Sequence, residues 1–429
     1  MNLHLENFQK LIKLGEIMFN KKSILFLLSS VIFIVLSSGV KAKDGEILIG
    51  FTGPVSGALA EIGKAMQSAA QLAVNQANDA GGVKVGGKTY KIKLVIGDTE
   101  GLKAERAVSA ARRLMDLEEV RGIVGFAIST SILAAIPLIN DAQVPLINVV
   151  GKSTGIPEKI ASDRLEYIFQ LSPTNEELVG SHGGLLAHHI KPKKAAILTF
   201  NTDAARDYVM RAERLWPKLI GGLKMESYFV EGNKMDLQPE LLKIRSFSPD
   251  VLYVLFAGAQ TYAFVDQFAA SGLGEKIVVF GDSEYSSPTF QQKTGNKSNL
   301  HLANSVTYKA PITKLTLPFY EAFKNFHGTY PPYYSVQTYD GMLMMLEGIR
   351  RAGKITGNMS KDRKAIRNGL KKISKNNPVL ATRGQLSFSS LETGHRVAAD
   401  VAVIQYQNGN SKLVWPAGSG SVAFIDPRK

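Results

Sequence analysis

The stretch FTGPVSGALAEIGKAM, residues 51–66, follows the apolar run Ile47–Gly50, and its glycines decide how the chain is read. Gly53, Gly57 and Gly63, with Lys64 behind them, stand between a strand-like and a helix-like run and invite a phosphate-cradling reading. The spacing rejects it. A P-loop has four residues between its glycines and then Lys with Ser or Thr to hold magnesium. Here five residues separate Gly57 from Gly63, and Lys64 is followed by Ala65. The dinucleotide spacing G-x-G-x-x-G is also missing. What remains is a strand–loop–helix edge of a ligand cleft: Gly53-Pro54 and Gly57 shape the loop, Gly63 eases the start of the helix, and Lys64 is solvated.

Outward from this edge, β-branched runs alternate with helix-length amphipathic ones. EILIGF (Glu46–Phe51) reads as a buried strand. Ile62, Met66, Ala69, Ala73 and Ala77 then follow the three-to-four spacing of one helix face, and Asn78–Gly82 stops it. KIKLVIGD, GIVGF and VPLINVV are further strands, with helices over 103–117 and 132–140 between them. The pattern restarts at YIFQL (Tyr167–Leu171) and continues through KAAILTF, SYFV, VLYVLF and KIVVFGD, with helices near 176–189, 203–219, 238–245 and 260–270. Such alternation predicts parallel sheets with helices on both faces, and two series predict two α/β lobes. The last third breaks the rhythm. A strand at VTYKA (306–310) precedes helices over 317–326, 335–352 and 360–371, then strand-like GQLSFS, RVAADVAVIQYQNG and KLVW. Late helices followed by late strands predict a return to the first lobe and an ending in the second.

The 429 residues suffice for two or three domains. Residues 18–42, MFNKKSILFLLSSVIFIVLSSGVKA, have a basic front, an apolar middle and an A-x-A-like end at Val40-Lys41-Ala42. A signal peptide over residues 1–42, starting at Met1 or at Met18, and a periplasmic location are expected. The alternative is a single membrane anchor, for which the apolar part falls short of the roughly 20 residues a span requires. There are no cysteines, which excludes disulfides, thiolate metal sites and a lipid-bearing Cys. Net charge is +14, or +11 once the five basic and two acidic residues of 1–42 are removed. The basic residues are scattered without the aromatic clustering of a nucleic-acid surface, so no nucleic-acid partner is expected. Metalloprotease and nucleophile-elbow motifs are missing, and Glu118-Glu119 reads as solvated surface. No catalytic residue, metal or cofactor is expected, and the chain is not read as an enzyme.

In open parallel sheets a ligand binds beyond the carboxyl ends of the strands, where strand order reverses. Three strands here end in small or polar residues: Ser129-Thr130-Ser131, then Gly151 with Ser153 and Thr154, then Asp282-Ser283-Glu284. A hydroxyl just ahead of a helix can cap it. The same helix start offers free N–H groups to an anion such as a carboxylate. Three such ends in chain order favour a binding cleft.

The segments IGFTGPVSGALAEIGKAMQSAAQLAVNQANDAGGV, IKLVIGDTEGLKAERAVSAARRLM, GIVGFAISTSILAAIPLINDAQVPLIN, ASGL (Ala270–Leu273) and YYSVQTYDGMLMMLEGIRRAG occur in an order and spacing that is similar to one family. Over residues 44–420 the chain resembles the leucine/isoleucine/valine-binding (branched-chain amino acid) periplasmic solute-binding proteins of ABC importers. The resemblance implies a type I periplasmic binding protein fold: two doubly wound α/β lobes joined by three crossovers near Leu171, Val306 and 385–388. The lobes are expected at 43–170 plus 307–385 and at 171–306 plus 386–429, closing on ligand by hinge bending. It implies that Ser129, with Phe126, Ala127 and Thr130 around it, meets a ligand carboxylate. Groups near Val150, Gly151 and Lys152 assist, and Glu284 or Asp282 meets an ammonium. Three family tyrosines fall on Ile62, Ala204 and Ala257, which leaves room for a larger ligand. Phe126, Phe200 and Tyr285 are candidate replacement walls. The implied function is capture of an amino acid or related small carboxylate for a membrane permease with its ATPase. A receptor for aromatic acids or amides, or a ligand sensor of the same fold, is the alternative.

Overall fold

The computed structural model describes residues 45–429 apart from 102, 233, 306–311, 399–400 and 418–420. The expected signal peptide, the expected strand at 306–310 and the crossover near Val306 lie outside the described residues. Where the sequence alternates, two sheets form. The first holds β1 (Glu46–Gly53), β2 (Val83–Val85), β3 (Lys88–Asp98), β4 (Ile123–Gly125), β5 (Leu146–Asn148) and β6 (Ile168–Gln170) in the order β2-β3-β1-β4-β5-β6. Helices α1 (Ala60–Asp79), α2 (Ala104–Arg112), α3 (Ser129–Asp141) and α4 (Gly155–Ser162) link them. β1 pairs in parallel with both β3 and β4, so strand order reverses at β1, whose carboxyl end begins the opening stretch. The antiparallel β2–β3 hairpin is an addition to the sequence reading.

The second sheet begins with β7 (Lys194–Phe200), β8 (Lys224–Val230), β9 (Val251–Leu255), β10 (Val278–Gly281) and β11 (Leu302–Ser305). Around them lie α5 (Asn175–Leu185), α6 (Asp203–Leu219), α7 (Gln238–Phe247), α8 (Ala259–Ala270) and α9 (Pro288–Thr294). The late helices α10 (Thr316–His327), α11 (Tyr333–Arg350) and α12 (Met359–Lys371) precede a small hairpin of β12 (Val379–Ala381) and β13 (Gly384–Leu386). Finally β14 (Ala402–Gln407) and β15 (Asn410–Trp415) join the second sheet, giving the order β15-β14-β11-β10-β9-β7-β8.

Strand pleating sorts this sheet's side chains into two cores. Ala195, Ile197, Tyr253, Phe280 and Val403 pack on one face; Ala196, Leu198, Leu252, Val254 and Ile404 pack on the other. Burial on both faces is why these strands read as unbroken apolar runs. The late helices pack on the first sheet: α11 packs along α1, and Phe319, Met342, Met345 and Ile366 share a core with Ile47, Ile49 and Phe51. Phe388 and Val397 still belong to that core, whereas Val401 belongs to the second sheet. Hydrophobic packing therefore changes sheet later than the 385–388 read from the sequence. There the Gln170 N–H donates to His395 O (3.0 Å) and the Val397 N–H to Gln170 O (2.8 Å), so two connections run side by side.

Two local readings need correction. Gly63 lies inside α1, and a Cβ there would stand 2.1 Å from the Pro54 carbonyl oxygen. It permits close approach of helix to loop, which is a different role from easing a helix start. Glu118 is not solvated surface; it is 4% exposed and pairs with Arg113 at 2.8 Å. Among the described residues no helix is long and apolar enough to cross a membrane.

Candidate ligand-binding site

The opening loop leaves β1 under the control of Asp98 at the end of β3. One Asp98 oxygen accepts the N–H groups of Val55 (3.0 Å), Ser56 (3.3 Å) and Glu100 (2.9 Å). Burial pushes this carboxyl up, but the Ser56 side chain and these N–H donors outweigh it and hold it below the ordinary range. Next to this loop β4 ends, and Phe126 takes φ +60 with its N–H bonded to Thr52 O at 2.9 Å. A bulky residue in the left-handed region carries backbone strain, here at the point where strand order reverses. Phe126 is fully buried.

Ser129 opens α3, but the cap position is Ile128 and no side chain caps the helix. The capping alternative for Ser129 and Thr130 is not realised. Instead Ser129 Oγ accepts the N–H groups of Lys152 and Ser153, each at 3.1 Å. With both lone pairs engaged, its hydroxyl can only donate. Thr130 and Ala127 are half-buried beside it. After β5, Val150 O accepts from Ser172 Oγ (3.1 Å) and the Gly151 N–H donates to Asn148 Oδ1 (3.1 Å). Gly151 O receives Asn148 Nδ2 and Gln170 Nε2. These main-chain groups are spent within the fold, where they shape the loop that launches Lys152.

From the second sheet, β10 delivers Asp282 to the same place. Lys152 Nζ reaches Asp282 Oδ2 at 2.5 Å and Ser283 Oγ at 3.3 Å. Tyr253 Oη (3.2 Å) and Asn304 Nδ2 (2.9 Å) donate to the other Asp282 oxygen. Burial would raise this carboxyl; the Lys152 ammonium, Asn304 and the Ser283 N–H overcome it and keep Asp282 below its ordinary value. Behind it His182 is pushed down to about 3 by burial, and its Nδ1 shares a 2.7 Å hydrogen bond with Tyr208 Oη.

Glu284 follows on the same turn, buried, with only Tyr262 Oη donating to it among the described residues, at 3.3 Å. Burial and then the Glu61 carboxylate push it up to about 7, against smaller opposing pulls from the Tyr262 hydroxyl and Lys293. Lys293 lies 4.7 Å above the Tyr262 ring and 3.5 Å from Glu61, which belongs to α1. Tyr333 and Tyr334 complete the wall from the start of α11. Burial raises both phenols, helped by Asp282 and Glu284 for Tyr333 and by Glu284 for Tyr334. At the rim Arg211 of α6 binds Glu158 of α4 at 2.9 Å, and the Thr154 N–H donates to Asp207 at 2.9 Å.

The remaining candidates divide. Tyr285 is fully buried against Phe290, ring centres 4.3 Å apart, and is core. Phe200 packs on Phe256 at 5.2 Å. Ala204 and Ala257 are half-buried, and Ala204 O accepts from Asn175. Tyr262, Asn304 and Tyr333 were not read as site residues, and Lys152 was placed near the site without a role for its ammonium. Lys152 had a signal, as the one cation inside a strand-end segment of small residues, VVGKSTG. The tyrosines had none, since YY at 333–334 is indistinguishable from core.

Residues 46–411 match the profile of a family described as periplasmic binding protein. The chain belongs to that family. A Leu/Ile/Val-binding protein homolog 7 of Brucella abortus is 24% identical over 399 residues, covering 89% of this chain and 94% of the relative. The substrate-binding protein LivJ of Streptococcus pneumoniae, solved with isoleucine, has the same fold, with TM-score 0.73 and 22% identity over 86% of this chain and all of that one. A solute-binding protein of an R. palustris ABC transporter, solved with benzoate, gives TM-score 0.74 and 19% identity over 88% of this periplasmic binding protein and 99% of that chain. The type I two-lobed α/β fold follows from these likenesses.

Proposed function

We propose that this periplasmic binding protein is the extracytoplasmic receptor of an ABC importer. It captures an amino acid or related small carboxylate between its lobes and hands it to a permease driven by an ATPase. Residues 1–42 direct secretion. One observation carries the reading: polar groups from the strand ends of both sheets, Ser129 and Lys152 from one and Asp282 and Ser283 from the other, meet in one place. A few fixed polar groups between apolar walls orient a small ligand, and closure around it excludes water. The ligands named for the Brucella, Streptococcus and R. palustris proteins fall in the same chemical range. Thermal unfolding of residues 43–429 against a panel of amino acids, amides and aromatic acids tests it. A ligand bound only by the native state must raise Tm. A panel in which no compound does so overturns the reading.

A further inference from the structure

The acid at the end of β10 already has its cation. Lys152 leaves the first sheet beside Ser129, crosses between the lobes and sets its ammonium on Asp282 at 2.5 Å. Both side chains are largely buried, 13% and 7% exposed. Asp282 is engaged on both oxygens, by Lys152 on one and by Tyr253 and Asn304 on the other. An ammonium ligand would have to displace a buried ion pair and leave Lys152 without its counter-charge, which is strongly unfavourable. The Lys152 ammonium has three N–H donors, of which Asp282 and Ser283 take two. The third, like the Ser129 hydroxyl, can serve only an acceptor. Tyr333 lies below the ammonium at 5.9 Å and provides an aromatic wall.

We infer that Lys152 is a built-in substitute for a ligand's ammonium, and that the cleft selects carboxylates lacking an α-amino group. This rests on the receptor reading above and narrows its ligand class. Lys152 and Ser129 receive the carboxylate, Tyr333 faces the apolar part, and Asp282 serves as the lysine's anchor.

The cleanest probe pair is leucine and 4-methylpentanoate, which differ only by the ammonium, with benzoate as an aromatic carboxylate. Titration calorimetry on the wild-type protein should show 4-methylpentanoate or benzoate binding at least tenfold more tightly than leucine. In Lys152→Met the bare Asp282 becomes an ammonium site, so leucine should gain at least tenfold and the amine-free acids lose as much. Leucine bound more tightly by the wild type, or an unaltered preference in Lys152→Met, overturns the inference while the receptor reading stands. Failure of every compound in the wider panel overturns both. Should the variant not fold, the wild-type ratio alone decides.

Discussion

Asp282 and Glu284 stand two residues apart at the end of β10, 5% and 8% exposed. The first faces Lys152 of the opposite lobe, which together with three donors of its own lobe, Tyr253, Asn304 and Ser283, holds it charged. The second faces Tyr262 and the Glu61 carboxylate, and is half-protonated near neutral pH. Similar burial thus shifts the two carboxyls in opposite directions, because desolvation sets the cost of a charge and the neighbours decide whether that cost is met. One side of the turn is an electrostatic clasp between lobes. The other is a carboxyl that changes charge readily with pH or with a cation beside it.

The largest break in this comparison is Lys152→Met, which strands Asp282 as a buried charge. Urea unfolding at pH 7 should show a loss of about 4 kcal/mol, within the range for breaking a buried pair. The pairing contribution is present above the ordinary Asp value of 3.8 and is lost as pH falls through the lower folded value. The deficit should therefore shrink in acid, and a deficit that is constant down to pH 3 contradicts the assignment.

Glu284→Gln should act in the other direction. Its folded value of about 7 lies above the ordinary 4.5, so the stability linked to it is complete below 4.5 and lost as pH rises through 7. The variant should be more stable than wild type by about 3 kcal/mol at pH 8 and equal to it at pH 4. Equal stability at both pH values would mean that Glu284 titrates normally.

Ser129→Ala removes the hydroxyl donor and an acceptor of two loop N–H groups. Carboxylate binding should weaken by about 1–3 kcal/mol by calorimetry. An unchanged Kd with an intact circular dichroism spectrum removes Ser129 from the site. The smallest effect belongs to Tyr262→Phe, which takes one hydrogen bond from Glu284. The Glu284 carboxyl should titrate at higher pH in a carbon-13 NMR titration, with stability changed by about 1 kcal/mol or less. A downward shift would show that Tyr262 does not stabilise the charged form.

Much of this was legible in the sequence. The strand and helix runs found through residue 281 correspond to observed elements, because the period of two or of 3.6 is imposed by each segment's own backbone. Ser129, Asp282 and Glu284 could be named as candidates because strand ends are also local features. Other readings failed where packing or pairing made on folding decided the outcome. Gly63 is required by the Pro54 carbonyl, and Glu118 is buried by the packing of its helix end. The main-chain groups of Val150 and Gly151, expected near the ligand, bond to Asn148, Gln170 and Ser172.

By itself the sequence determined the order of elements, the two-lobed α/β plan and the polar residues at three strand ends. Which charges meet across those ends was decided only by the tertiary structure. Lys152 and Asp282 are 130 residues apart, and nothing in either local pattern predicts their contact. Hydrophobic period is a property of one segment, whereas the partner of a buried charge depends on how two sheets face each other.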